Sequence, residues 1–197
     1  NENRGQGKNE WYLPLTMRLP MVGRQAELNK IRQTFYSGGI ILLRGEMGIG
    51  KTRLVQELLQ TIGARNTLFL TSAREMEETL PFAPVIHGLR KYLTKDLLQE
   101  LDCIWDTQLQ VLLPELSEKA SGIHETQTAN FPTNKQHLLD ALYNLFSCLS
   151  KKKGKLIFFL DDAQWADSQT IQAISYLISQ GLFDSQGLLI IALRPEE

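Results

Sequence analysis

No stretch of this chain approaches the roughly 20 consecutive apolar residues needed to cross a bilayer. The longest apolar runs, Leu156–Leu160 and Leu188–Leu193, have the length of strands. The N-terminus is polar and carries no hydrophobic signal-peptide core. Net charge is also scarce. With 21 basic against 22 acidic residues, the formal charge is −1, which excludes a general attraction to nucleic acid or anionic membrane. The one dense basic run, Lys151–Lys153 with Lys155, lies between a helix pattern and a strand pattern and reads as a solvated loop. The two cysteines, Cys103 and Cys148, have no metal or redox spacing. Cys148 falls in the apolar stripe Leu145, Phe146, Leu149 and reads as a buried thiol. His87, His124 and His137 are scattered and form no ligand motif. These absences leave a soluble, cytoplasmic protein with no membrane contact and no direct nucleic-acid binding of its own.

What is present suits one domain preceded by a tail. A hydrophobic fraction of 43% in 197 residues is enough for a large core. Residues 1–20 are polar, then proline-interrupted, and read as a linker or disordered arm. From Gly23 to Tyr36 the spacing of Leu28, Ile31 and Phe35 predicts a helix, stopped by Ser37-Gly38-Gly39. Ile40–Arg44 reads as a strand, and residues 51–62 as a helix with Leu54, Val55, Leu58, Leu59 and Ile62 on one side. Thr67–Thr71 is a second strand pattern. Residues 75–130 read as mostly helical but broken by Pro81, Pro84 and Pro114. Thr133 and Gln136 form a capping-box pair opening a helix that runs to about Ser150. Residues 155–161 are apolar on both faces, the pattern of a buried parallel strand. Gln169–Gln180 is helical, capped by Asp167 and stopped by Gly181, and Leu188–Leu193 is a fourth strand. Strands alternating with helices predict an α/β fold, a three-layer sandwich around a parallel sheet.

Gly45-Glu46-Met47-Gly48-Ile49-Gly50-Lys51-Thr52 matches G-x-x-x-x-G-K-[ST] in full. The physical reason for the pattern is a backbone that curls into a concave nest, with amides pointing at phosphate oxygens. The helix that begins near Gly50 aims its positive end at the same charge. Lys51 is expected to reach the β- and γ-phosphates, and the Thr52 hydroxyl to ligate Mg²⁺. The nucleotide-lining stretch runs from Gly45 through Arg53. Four specified positions recur by chance in this length on the order of once in a hundred, and the strand–loop–helix order makes a coincidence rarer still.

A second acidic signal follows about a hundred residues later. Leu156–Leu160 delivers Asp161 and Asp162 to the carboxyl edge of a parallel sheet, where open α/β folds bind ligands. Asp161 is placed to hold Mg²⁺, and Asp162 to polarise the water that attacks the γ-phosphate. Trp165, three residues on, is expected near the same edge, either reporting on nucleotide or packing in the core.

Together these stretches resemble the STAND class of P-loop ATPases (signal-transduction ATPases with numerous domains). The likeness is to the AAA-type ATPase domains of large bacterial transcriptional regulators, and of some adenylate cyclases and protein kinases. It rests on Met21-Val22-Gly23-Arg24, on GEMGIGKTRL from Gly45, on Leu80-Pro81-Phe82-Ala83-Pro84, on LDDAQWAD from Leu160 and on ALRPEE from Ala192. The resemblance implies that Val22, Gly23 and Arg24 lie near adenine and that Arg194 senses the γ-phosphate. Gln25 departs from the acidic residue usual after the first stretch. The resemblance further implies a fifth strand beside the phosphate-loop strand, a helical lid and a winged helix. None of these follows before Glu197, so residues 21–197 are expected to be the nucleotide-binding core of a longer protein, with slow or no turnover alone. The function expected is a regulatory ATPase core using ATP/ADP and Mg²⁺. Its partners would be the winged helix, sensor repeats and output domain of the same chain, with ATP-dependent self-assembly. A non-hydrolysing interaction scaffold and a P-loop small-molecule kinase are the alternatives.

Overall fold

Six-residue apolar runs and amphipathic helices alternate along this chain, and each run has become a strand of one sheet. The computed structural model describes residues 23–62, 65–93, 109, 112–113, 135–184 and 187–195. The element order is α1 (Gln25–Ser37), β1 (Gly39–Arg44), α2 (Lys51–Thr61), β2 (Thr67–Ser72), α3 (Ala83–Tyr92), α4 (Lys135–Lys153), β3 (Leu156–Asp161), α5 (Ser168–Ser179) and β4 (Gly187–Leu193). Two short 3₁₀ turns, Glu75–Glu77 and Ala163–Trp165, follow β2 and β3. The expected arm at residues 1–20, Val22, and the capping residue Thr133 lie outside the described residues, as does most of 94–134.

The described strands are all parallel, in the order β1-β4-β3-β2. The two inner strands are apolar on both faces because helices cover both. Side chains alternate along each strand, so the two faces collect different sets. On one face Ile157, Phe159, Leu188, Ile190 and Ala192 meet Leu28, Ile31 and Phe35 of α1 and Leu54, Val55 and Leu58 of α2. On the other, Phe69, Phe158, Leu160 and Leu189 meet α3, α4 and α5. An aromatic group centres this second layer. Phe69 stacks near Phe158 and Phe146 at 4.7 and 4.8 Å between ring centroids, and Phe158 reaches Phe183 at 6.3 Å. Each such ring contributes about 1.5–3 kcal/mol by burial alone. Among the described strands β1 lies at the edge, and its Ile40 and Leu42 remain about half exposed. No described helix is long and apolar enough to cross a membrane.

Two expectations change. Lys151–Lys153 are the last turn of α4, not a loop. Three ammonium groups there complement the negative helix end, and Gly154, at φ 97°, supplies the left-handed exit against the Arg65 carbonyl. Lys155 is not simply solvated, since its Nζ donates to the Phe35 and Tyr36 carbonyls at the end of α1. Cys148 is half-buried on α4 and disulfide-bonded rather than a buried thiol.

Candidate functional site

The carboxyl ends of β1, β3 and β4 converge on one edge of the sheet, and each delivers a polar segment there. After β1 the chain turns through Gly45–Gly50 into α2. The turn is pinned at its start by the Gly45 amide donating to the Leu193 carbonyl at 3.3 Å, which ties it to the end of β4. Gly48 and Gly50 have φ of 77° and 93°. A Cβ on Gly48 would meet nothing within 4 Å, so the backbone angle, not room, calls for glycine there. Gly50 is the N-cap of α2. The first amides of that helix have no intrahelical acceptor and are available to an anion. Glu46, Met47, Gly48 and Ile49 are exposed along the rim, while Gly45 and Gly50 are half-buried.

Lys51 and Thr52 open α2. The Lys51 ammonium folds back onto the loop, donating to the Gly45 carbonyl at 2.7 Å and the Glu46 carbonyl at 3.1 Å. The Thr52 hydroxyl donates to Asp161 Oδ2 at 2.5 Å, across 109 positions of sequence. That bond exists because α2 crosses the sheet from the β1 edge toward β3, with Val55 and Leu58 buried beneath it. The other carboxylate oxygen of Asp161 accepts from the Asp162 amide at 3.0 Å. Arg53, in the same turn of α2, is half-buried.

Asp162 sits at φ 49°, a left-handed angle that aspartate tolerates better than most residues. Its Oδ1 accepts from Arg194 Nη2 and from Gln164 Nε2, each at 3.3 Å. Gln164 Oε1 in turn accepts from the Arg194 backbone amide at 3.2 Å. Arg194 thus stands at the end of β4 beside the acidic pair at the end of β3. Trp165 is half-buried and packs against the α3–α4–α5 core. Asp167 caps α5, accepting from the Gln169 and Thr170 amides, and reaches back to the Phe82 amide at 2.9 Å.

The structure therefore brings together Gly45–Arg53, Asp161, Asp162 and Arg194. The Gly23–Arg24 segment is placed at the start of α1. Arg24, at φ 58°, is the N-cap of α1, and Val22 lies outside the described residues. Sequence reasoning missed Gln164 and the bond between Asp167 and Phe82. The signal for the first was a polar block directly after a buried strand, read only for its charges.

A family model described as an AAA ATPase domain matches residues 20–191. No curated protein matches the chain. Among solved structures, a Walker-type ATPase of Pyrococcus abyssi is similar with a TM-score of 0.52 and 14% identity, over 88% of this chain and 45% of that one. At that identity the likeness speaks for the fold alone, and this chain spans less than half the length of the Pyrococcus chain.

Proposed function

Because the chain belongs to the AAA ATPase domain family, we propose that it is the ATP-binding and ATP-hydrolysing core of a regulatory protein, in which nucleotide occupancy sets a signalling state. The observation that carries the site assignment is the Thr52–Asp161 bond at 2.5 Å. It joins the end of the phosphate loop to the acidic strand end, the two groups that Mg-ATP binding requires in one place. A hydroxyl and a carboxylate are hard oxygen donors, the class magnesium takes when it keeps waters and phosphate oxygens as its remaining ligands. Thr52 and Asp161 would hold that ion, which when bound neutralises charge on the β- and γ-phosphates.

The other roles follow from position. The amides of Gly48–Thr52 receive phosphate oxygens, with Gly45, Glu46, Met47 and Arg53 lining the approach. Lys51 exchanges its two loop carbonyls for phosphate oxygens, trading neutral acceptors for charged ones and gaining strength in doing so. Asp162 orients and deprotonates the attacking water, and Arg194 contacts the γ-phosphate as its charge spreads. Val22, Gly23 and Arg24 are assigned to the adenine side on resemblance alone. The regulatory, STAND-type setting rests on the LDDAQWAD and ALRPEE stretches in the sequence.

Calorimetric titration with Mg-ATP tests this reading. Lys51→Ala should fold normally, because Lys51 is only half-buried at the start of α2, and should lose at least tenfold in affinity. Asp161→Asn should weaken binding only when magnesium is present. Asp162→Asn should bind as the parent does and release phosphate more slowly. Equal affinity of parent and Lys51→Ala would sink the assignment of the loop.

A further inference from the structure

We propose that Gln164 is a positioning residue for hydrolysis, its carboxamide holding the Asp162 carboxylate and the Arg194 strand end in one fixed relation. The proposal rests on the roles given above to Asp162 and Arg194 and adds a third group between them. Its basis is a closed ring of contacts. Gln164 Nε2 donates to Asp162 Oδ1, Gln164 Oε1 accepts from the Arg194 amide, and Arg194 Nη2 returns to the same Oδ1. A carboxamide donates at one end and accepts at the other, and both ends are used here. Neither a carboxylate nor an ammonium at position 164 could close the ring.

The consequence lies in how the carboxylate is aimed. Both donors fall on Oδ1, so Oδ2 is the oxygen left to take a proton from water. A short acidic side chain at a strand end can otherwise rotate about two bonds. The 3₁₀ turn Ala163–Trp165 supplies the anchor that prevents this. It places Gln164 two residues after Asp162, and the packed Trp165 follows at once. The Asp162 carbonyl accepts from the Trp165 amide at 3.0 Å, which fixes the turn itself. Because the same amide grips the Arg194 backbone, a shift of β4 relative to β3 would move both the water-facing carboxylate and the phosphate-facing guanidinium. A misplacement of about 1 Å in such a pair is enough for a roughly hundredfold loss of rate.

Two variants of the full chain separate the bonds. Gln164→Leu keeps size and removes both, whereas Gln164→Glu keeps the acceptor for the Arg194 amide and loses the donor to Asp162. Single-turnover hydrolysis with protein in excess over ATP should slow about 10- to 100-fold in both. Mg-ATP affinity by calorimetry should stay within about twofold, since the hydrogen bonds of Gln164 go to Asp162 and the Arg194 backbone and not to the phosphate loop, Thr52 or Asp161. Amide exchange at Arg194, followed by NMR, should quicken in Gln164→Leu and stay slow in Gln164→Glu. Parental rates in both variants overturn the proposal while leaving Asp162 as base. Rates that fall only in step with affinity show a structural role and also overturn it. If Asp162→Asn hydrolyses at the parental rate, the reading of Asp162 fails, and this proposal with it.

Discussion

Asp167 is 4% exposed and its carboxylate accepts four hydrogen bonds, from the amides of Phe82, Gln169 and Thr170 and from the Thr170 hydroxyl. A capping residue needs only the α5 donors. The bond to Phe82 makes it a pin between two helices as well, since Phe82 is the N-cap of α3 and holds a left-handed φ of 59°. Asp167→Ala orphans several buried donors at once and should destabilise the protein by about 2–4 kcal/mol in urea unfolding. Asp167→Asn should recover part of that loss, and a loss below the noise for both would show that water replaces the carboxylate freely. Tyr92 gives a second test at this scale. Burial pushes its phenol above the ordinary value, against the opposing hydrogen bond with Thr67 and the charge of Lys153. Its neutral form is therefore favoured in the folded protein. This contribution is complete below the unfolded-state pKa near 10 and is lost as pH rises through the higher folded value. Stability should fall more steeply above about pH 10 in the parent than in Tyr92→Phe.

At the scale of elements, α3 lies unusually close to β2, and Gly88 is the reason. A Cβ there would come within 2.4 Å of the Phe69 ring at the centre of the aromatic group. Gly88→Ala should thus destabilise the protein by about 1–3 kcal/mol despite alanine's better helix propensity. An increase in melting temperature would show that Phe69 moves aside without penalty. The contact was hidden in the sequence, because Gly88 and Phe69 belong to different elements and a helix pattern says nothing of its distance from a sheet. The strands, by contrast, were legible to within a residue or two, since runs such as Leu156–Leu160 admit only a two-faced burial. The end of α4 was not, because a lysine run suits a solvated loop and a helix C-terminus equally well. In the site, Gly45–Thr52 could be read from spacing alone, as their chemistry is local. The pairing of Thr52 with Asp161 had to be inferred from two motifs. Gln164 escaped altogether, its partner Arg194 being 30 positions away and its own side chain uncharged.

For the molecule as a whole, ligand binding should appear as stability. A nucleotide at about a hundred times its dissociation constant adds about 2.7 kcal/mol, or roughly 5–10 °C in melting temperature for a domain of this size. Lys51→Ala should melt with the parent in the absence of nucleotide and fail to rise when Mg-ATP is added. Parallel rises in the two would mean that the nucleotide binds elsewhere. The strand order has a further result. β1, which carries the phosphate loop, pairs only with β4 among the described strands, Gly39 facing Leu188. β1 must therefore wait for β4, made about 150 residues later, before that pairing is seated, and closing so long a loop is the slow part of building a parallel sheet. During synthesis on the ribosome, β2 and β3 can pair as soon as both have emerged, while the phosphate loop still lacks the neighbour that pins Gly45. Competence to bind nucleotide should then be the last property to appear in refolding, after the helical signal has recovered. A partly made chain would reach the cell with its sheet begun and its phosphate site still open.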